Sequence, residues 1–359
     1  MANRTPELQR STFLRSSRPV SVDSRQEKIS FVGFSVVFVS CLQSTVYCLL
    51  IFSCLLTITG CGPKYTYPAD SVAKSVENID RKEYKIESVA RVTGKTVGAL
   101  VYLDSIVDAK GQIPKEVHEM MSQVMQTVTR VALSTDLPLD FCKVIIRDRQ
   151  HDNELVIVRS IDDTKRANAD AIGIEESINR TVFEQGKYKP ETEGPNSFVL
   201  NEVKLENFLA TQIVQRIRFS YSKENAQEET TVKNTILVDG GFDAEPEKKS
   251  FRFSMISIKS ENPKKVMLTV FKIINDVLQG YSFTAFDTIE IQDYLNRKKL
   301  VVGRQILLDY QQKKLTEDQI FEKCLLESQS IQEAFKLFGF NLPQDPSDKD
   351  AVVPRPATP

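Results

Sequence analysis

The feature that most constrains how this chain can fold is an uncharged apolar run near its beginning. No charged residue occurs between Lys28 and Lys64, and the run ends in two small residues and a cysteine. About 20 apolar residues are enough to span a membrane, so such a run is either cut off or embedded rather than folded into a soluble core. Basic residues before it and small residues after it follow the layout of a secretory signal. The run therefore separates a leader from the folded remainder.

The residues that end the run are Ile58-Thr59-Gly60-Cys61. They resemble the lipobox of bacterial lipoproteins, in which a branched apolar residue and two small residues precede a cysteine; the resemblance covers this segment alone. It implies lipid attachment to the Cys61 sulfur, removal of residues 1–60 and acylation of the new amino group. Membrane lipid is thus an expected partner, because several acyl chains together anchor a protein stably.

The same resemblance carries an expectation about location. Gly62 stands after the cysteine, where an aspartate commonly retains a lipoprotein in the inner membrane of two-membrane bacteria. The expected place is therefore the outer membrane of the cell envelope, facing the periplasm.

Two alternatives remain for the leader, since the run exceeds the 7–15 residues of a usual signal core. One is an uncleaved transmembrane helix that carries an extracytoplasmic domain. The other is a start codon near Val20 or Val22, which would leave Arg25 and Lys28 as the basic region. Under either alternative, the bulk of the chain is tethered outside the cytoplasm.

The charge balance of the remainder excludes one class of function. Residues 1–60 hold six of the chain's 47 basic residues and three of its 48 acidic ones, which leaves 41 basic and 45 acidic residues for 61–359. No clustered basic stripe is found there, and nucleic-acid binding normally needs one. No nucleic-acid partner is predicted.

Metal and cofactor chemistry is not predicted either. The only histidines are His118 and His151, too few for a multi-histidine metal site, and His118 is expected on a helix surface. Beyond Cys61, the only cysteines are Cys142 and Cys324, which lack zinc-type spacing. They could form a disulfide in an oxidising periplasm, but two free buried thiols are the favoured prediction.

The chain divides into six segments. In order these are the signal segment 1–60, a tether 61–69, a first α+β unit 70–186, a linker 187–202, a second α+β unit 203–342 and a disordered tail 343–359. The fold class predicted is α+β, with two similar helix-hairpin-helix-hairpin units whose antiparallel sheets are covered by helices.

Hydrophobic periodicity places several elements within these units. It predicts a helix with a methionine-bearing core stripe, a hairpin turn, two further helices and an acidic loop between strands. The methionine-bearing helix is Ile113–Ser134, and the hairpin turn is Thr93-Gly94-Lys95. The two further helices are Ile174–Gln185 and Glu317–Phe338, and the acidic loop lies around Asp239-Gly240-Gly241.

The second hairpins of the two units match at a constant offset of 145, with seven identities across 21 positions. This pattern favours an internal duplication, although any two amphipathic hairpins resemble each other to some degree. Four matched residues are candidates for a repeated polar site, namely Asp148, Arg159, Asp293 and Arg304. The simpler interpretation, which we prefer, is that each aspartate ends a strand at its turn and each arginine lies on a solvated face.

Past Cys61, the sequence contains no glycine-rich nucleotide loop, nucleophile elbow or metal-ligand cluster, so no catalytic residue is assigned. The favoured hypothesis is a non-enzymatic adaptor or assembly factor that binds an envelope protein, peptidoglycan or lipid. The alternative is a periplasmic hydrolase that uses carboxylates between the two halves. A deep cleft lined by Asp or Glu with raised pKa values would favour the hydrolase.

Overall fold

A computed structural model describes residues 66–108, 110–150, 152–188, 198–227, 235–258 and 262–327. The signal segment, Cys61, most of the tether, the middle of the linker and everything after Glu327 lie outside these ranges, and so does the predicted tail. Among the residues described, no helix is long and apolar enough to cross a membrane. The helix predicted over Glu317–Phe338 ends at Cys324, and Leu325–Glu327 form a strand instead; residues 328–338 lie outside the described ranges.

The first half forms a mixed sheet covered by helices. Its elements in chain order are α1 (Val72–Ile79), β1 (Ser88–Thr93), β2 (Thr96–Leu103), α2 (Lys115–Leu133), β3 (Phe141–Asp148), β4 (Asn153–Ser160), α3 (Ile161–Asn168), α4 (Ile174–Asn179) and β5 (Val182–Lys187). The strands lie in the order β1-β2-β3-β4-β5. All neighbours are antiparallel except β2 and β3.

The second half repeats this succession. Its elements are α5 (Leu205–Gln227), β6 (Thr235–Glu245), β7 (Lys248–Ile258), α6 (Pro263–Gly280), β8 (Thr288–Asp293), β9 (Lys298–Gly303), α7 (Arg304–Gln311), α8 (Glu317–Cys324) and β10 (Leu325–Glu327). The strand order is β10-β9-β8-β7-β6, with β7 and β8 the parallel neighbours. The α+β class is therefore confirmed.

The prediction that the sheets are antiparallel throughout is wrong, because each sheet contains one parallel pair. A long connection with a helix joins the two strands of each pair, α2 in the first half and α6 in the second. Such a crossover returns the chain to the end from which it started, which makes the joined strands parallel. A fifth strand in each sheet was also missed. β5 begins at Val182 inside a predicted helix, and β10 follows Cys324 inside another.

The registers of the first four strands correspond residue by residue between the two halves. Adding 145 to the numbers of the pair Ile145–Val156 in β3 and β4 gives Glu290–Val301, a pair of β8 and β9. Adding 152 to the pair Ala90–Ala99 in β1 and β2 gives Phe242–Phe251, a pair of β6 and β7. The parallel pair Leu103–Asp148 maps onto Met255–Asp293 with the same two offsets. The crossover between the hairpins is seven residues longer in the first half. The fifth strands pair in different registers, since Leu155 pairs with Gln185 whereas its counterpart Leu300 pairs with Leu325.

Helix α5 lies between the two sheets and contributes to one hydrophobic core with both. Its residues Leu209, Ile213 and Ile217 are fully buried in a cluster that also contains Leu100 of β2 and Phe253 of β7. The opposite face of the first sheet is covered separately by α1 and α2. The layers are therefore α1 and α2, the first sheet, α5 with α6, and the second sheet.

Helix α5 also satisfies backbone groups at the edges of both sheets. The Gln215 side chain accepts a hydrogen bond from the Phe183 amide at 2.8 Å and donates one to the Thr181 carbonyl at 2.9 Å, at the β5 edge. The Arg218 guanidinium donates two to the Val238 carbonyl of β6, at 2.7 and 3.2 Å. Unpaired strand edges invite pairing with other chains, so these bonds help to close them.

The acidic loop predicted around Gly240 is wrong, since Asp239, Gly240 and Gly241 lie within β6. Gly240 pairs with Phe253, and a Cβ at position 240 would lie 2.3 Å from a Phe253 ring carbon. Glycine is thus needed here for a close approach to an aromatic ring rather than for a turn. The predicted turn at Gly94 is confirmed, with φ of 55°.

Candidate binding groove

An open groove of about 760 Å³ runs along the first half between helices α2 and α3. Met121, Met125 and Leu133 of α2 form one apolar wall, and Ile157 of β4 and Phe183 of β5 belong to the floor. The methionine stripe was predicted to fill the core, and Met121 and Met125 are indeed buried at their helix. Their outer edges nevertheless line the groove. Methionine is an adaptable residue that is common on binding surfaces.

A single positive charge lies at the floor of this groove. Arg159 of β4 donates from Nε to the Thr181 hydroxyl at 3.3 Å, and within the described ranges its guanidinium forms no ion pair. Burial lowers the pKa of Arg159, yet a guanidinium stays charged in a protein. The Cys142 thiol lies nearby, and burial raises its pKa to about 12, so it is a neutral neighbour. Arg159 is thus a desolvated cation that lacks a counter-charge in the part of the chain the structure covers.

Exposed apolar side chains surround the same arginine. Arg159 also lines a second hollow of about 480 Å³ beside α4. Two α4 residues at this hollow, Ile174 and Ile178, are 83% and 57% exposed, and Phe183 between the hollows is 49% exposed. Exposed apolar patches with polar rims typically mark interaction sites.

The corresponding place in the second half is filled by a helix. Helix α8 packs on β9 with Ile320 and Cys324 buried. Its first turn contacts α6, because Asp318 pairs with Lys264 at 2.7 Å and Glu317 pairs with Lys272 at 2.9 Å. A capping box at Thr316 fixes where α8 begins. The two halves therefore differ in what covers the fourth strand of each sheet.

The four residues of the predicted repeated polar site do not come together. Asp148 ends β3 and accepts the Gln150 amide at 2.7 Å, while Asp293 ends β8 and accepts the Asn296 amide at 3.1 Å. The interpretation that each aspartate ends a strand at its turn is confirmed. Arg304 is exposed, as expected, and donates to the Thr284 carbonyl. Arg159 is the exception, because it is half-buried in the groove rather than on a fully solvated face.

Sequence reasoning missed a buried polar network that joins the two halves. Asp163 of α3 accepts from Arg180 at 2.8 Å and from the Tyr281 hydroxyl after α6. Gln212 of α5 donates to the Tyr281 oxygen at 3.1 Å and to the Arg180 carbonyl at 2.8 Å. Burial and the neighbouring Asp163 carboxylate raise the pKa of Tyr281, so its proton stays in this network. Because the Asp163 carboxylate is paired with the Arg180 guanidinium, the network links the two halves and does not resemble a catalytic acid–base pair.

Other carboxylates do not assemble into a catalytic cluster in the residues described. Burial raises the pKa values of Asp80 and Asp293, but Asp80 bonds to the Ser88 hydroxyl in the first half and Asp293 lies at the end of β8. In the same ranges, no group of three or more His, Cys, Asp or Glu side chains is placed to hold a metal ion. Both described cysteines, Cys142 and Cys324, are free and buried, as predicted. The groove at Arg159 is thus the most distinctive candidate site.

Comparison with known proteins finds no matching family model, no matching curated protein and no matching solved structure.

Proposed function

We propose that this protein is a lipid-anchored envelope protein that acts as a periplasm-facing adaptor, using the groove at Arg159 to bind a partner. The observation that carries the proposal is the groove itself, which combines an apolar lining with a half-buried charge that has no counter-charge among the described residues. Binding sites are typically concave and mostly apolar, with a few polar groups that fix orientation.

The address of the protein rests on Ile58-Thr59-Gly60-Cys61 and on the short tether. The Thr66 amide donates to the Ser134 carbonyl at 2.9 Å, so the chain is fixed to the end of α2 from that residue onward. Five residue steps separate Cys61 from Thr66 and span at most about 17 Å when extended. Acylation at Cys61 would therefore hold the end of α2, and the Leu133 end of the groove, close to the membrane.

We also infer that the two halves arose by internal duplication. The matching strand order, the matching pair registers and the seven identities of the second hairpins support this inference. In a duplicated protein, one copy can keep a scaffolding role while the other acquires a binding site. The filled position of α8 and the open groove fit such a division.

An adaptor fits the interior of the body better than a hydrolase does. A hydrolase with carboxylates between the halves would need a cleft at that position. Helix α5 occupies it, and Leu209, Ile213 and Ile217 are fully buried there. The buried Asp163 at the junction is paired with Arg180 instead of facing a substrate.

The anchor is tested by labelling cells with a fatty-acid analogue and fractionating their membranes. Wild type should be labelled and sediment with the outer membrane. Cys61→Ala should lose the label, whereas Cys54→Ala, which alters a cysteine of the same apolar run, should keep it. Equal labelling of wild type and Cys61→Ala would end the lipoprotein proposal, and the mass of the mature N-terminus would then show whether the apolar run is retained.

A further inference from the structure

The second half of the molecule indicates what kind of object fits the groove. There, helix α8 lies on β9 alongside α6 and buries Ile320 and Cys324. The strand registers make β4 the counterpart of β9, and α2 the counterpart of α6. The groove lies on β4 beside α2, and the corresponding surface of β9 beside α6 is partly covered by α8, whose first turn contacts α6. In the first half, α4 instead leaves Ile174 and Ile178 exposed.

The charge at the groove floor indicates what such a helix must carry. Arg159 is half-buried, and covering a cation further without a counter-charge is costly, so a ligand that supplies a carboxylate is favoured over one that does not. Arg159 has its guanidinium bonded only to the Thr181 hydroxyl in the described part of the chain, which leaves donors for a carboxylate. Of the α2 residues that line the groove, Ser122 and Gln126 are exposed and uncharged. Arg130, which also lines it, pairs with Glu83 at 2.7 Å, so its charge is already matched.

We propose that the groove binds an amphipathic helix of a partner protein, which lays its apolar side chains on Met121, Met125 and Ile157 and brings a carboxylate to Arg159. This inference rests on the proposed adaptor function and names the class of its partner. Helices that dock in grooves typically use apolar anchors spaced three and four residues apart. An anionic lipid shares the apolar and acidic chemistry, but the helix in the second half favours a helical occupant.

The test is photocrosslinking of the full-length, membrane-anchored protein in its own envelope. A photoreactive amino acid is placed at Ser122 on the groove rim or, as a control, at Glu116, which is exposed on the same helix away from the groove. The crosslinked peptide is identified by mass spectrometry and then synthesised. Its affinity is measured against wild type, Arg159→Leu, Arg159→Lys and Arg304→Leu.

We expect crosslinking at Ser122 but not at Glu116, to a protein segment with an apolar stripe of helical spacing and an acidic residue. The synthetic segment should bind Arg159→Leu at least about tenfold more weakly than wild type, since charge-assisted hydrogen bonds have that strength. Arg159→Lys should recover part of the loss, and Arg304→Leu should change affinity less than about twofold. Amidating the acidic residue should weaken binding to wild type but not to Arg159→Leu.

Several results would overturn the inference. These are equal crosslinking at both positions, a crosslink to lipid or to a second copy of this chain, or equal affinity of wild type and Arg159→Leu. Because Arg159 is half-buried, the variant Gln126→Trp serves as a second test that leaves the floor intact. Blocking the rim should abolish the crosslink while circular dichroism stays unchanged, and persistence of the crosslink would count against the groove.

Failure of this inference is distinguishable from failure of the proposed anchor. A labelled Cys61 without a crosslink at Ser122 rejects the partner helix alone. A crosslink at Ser122 without a labelled Cys61 rejects the lipid anchor and leaves the helix in the groove.

Discussion

Truncating Ile213 should destabilise both sheets of the molecule at once. Ile213 is 0% exposed on α5, in the core that this helix shares with β2 and β3 on one side and β7 and β8 on the other. The substitution Ile213→Ala removes three carbon atoms from a site enclosed on both sides. Substitutions of this kind cost about 2–5 kcal/mol, and the upper part of that range applies where the surroundings cannot collapse into the cavity. We therefore expect the free energy of unfolding to fall by about 4 kcal/mol.

The assay is hydrogen exchange, read by mass spectrometry on peptides from β3 and from β8 of the mature protein in detergent. A loss of about 4 kcal/mol corresponds to roughly a thousandfold faster exchange of amides that open only on global unfolding. Phe219→Ala is the matched control on the same helix, because Phe219 is 58% exposed. It should change the free energy of unfolding by about 0.5 kcal/mol or less.

The reasoning fails if the two sheets respond differently. Faster exchange in β8 with unchanged exchange in β3 would mean that α5 belongs to the second half alone. A loss below about 1 kcal/mol would mean that the site relaxes around the missing atoms.

Three further predictions follow from local structure. Gly240→Ala should lower the free energy of unfolding by about 1–3 kcal/mol, because the new Cβ would lie 2.3 Å from the Phe253 ring. Gly241→Ala is the control, since its Cβ would meet nothing within 4 Å and its stability should stay close to that of wild type. Urea denaturation measures both. Burial raises the pKa of the Asp80 carboxyl above its ordinary 3.8, so the folded state holds that proton more tightly than the unfolded state does. The free energy of unfolding should therefore fall as the pH rises through the folded pKa. Asp80→Asn should flatten this decline, which is measured as urea midpoints from acidic to neutral pH. The Cys142 thiol, with a pKa of about 12, should react with a thiol reagent only after denaturant is added, and native labelling at neutral pH would contradict its burial.

The elements that follow from local sequence were predictable. The helix at 115–133 shows apolar residues at spacings of three and four, and the turn at Gly94 has hairpin length between two strand-like runs. Strand pairing across the crossover was not predictable, because it depends on where α2 packs. The run Thr96–Leu103 is buried on both faces over most of its length, which is the pattern of a central strand with a parallel neighbour. That pattern was visible in the sequence and could have prompted the mixed sheet.

The edge strand β5 and the groove depend on tertiary contacts that sequence periodicity does not encode. Val182–Lys187 has one buried residue followed by exposed ones, so it lacks the alternation of a half-buried strand. Arg159 and Arg304 occupy matched positions in two similar hairpins, yet one is half-buried and the other exposed. The difference comes from the helices that follow, α4 and α8, whose packing the hairpin residues do not determine. Ile174, four residues before Ile178, offered a hint that α4 has an apolar face with no partner in its own unit.

The outer face of the second sheet shows why a binding surface is better placed on the first half. Leu100 and Ile145 of the first sheet pack toward α5, and the strand registers make Arg252 and Glu290 their counterparts in the second sheet. Glu290 accepts Lys248 at 2.6 Å, and Arg252 pairs with acidic residues of β6, so this face satisfies its own charges. Stacked units commonly end in a polar outer face that stops further stacking. The first half ends differently, with an apolar groove and an arginine that lacks a counter-charge within the described residues. Within the described residues the two ends of the layered body thus differ in physical character, which is why we assign the proposed partner helix to the end at Arg159.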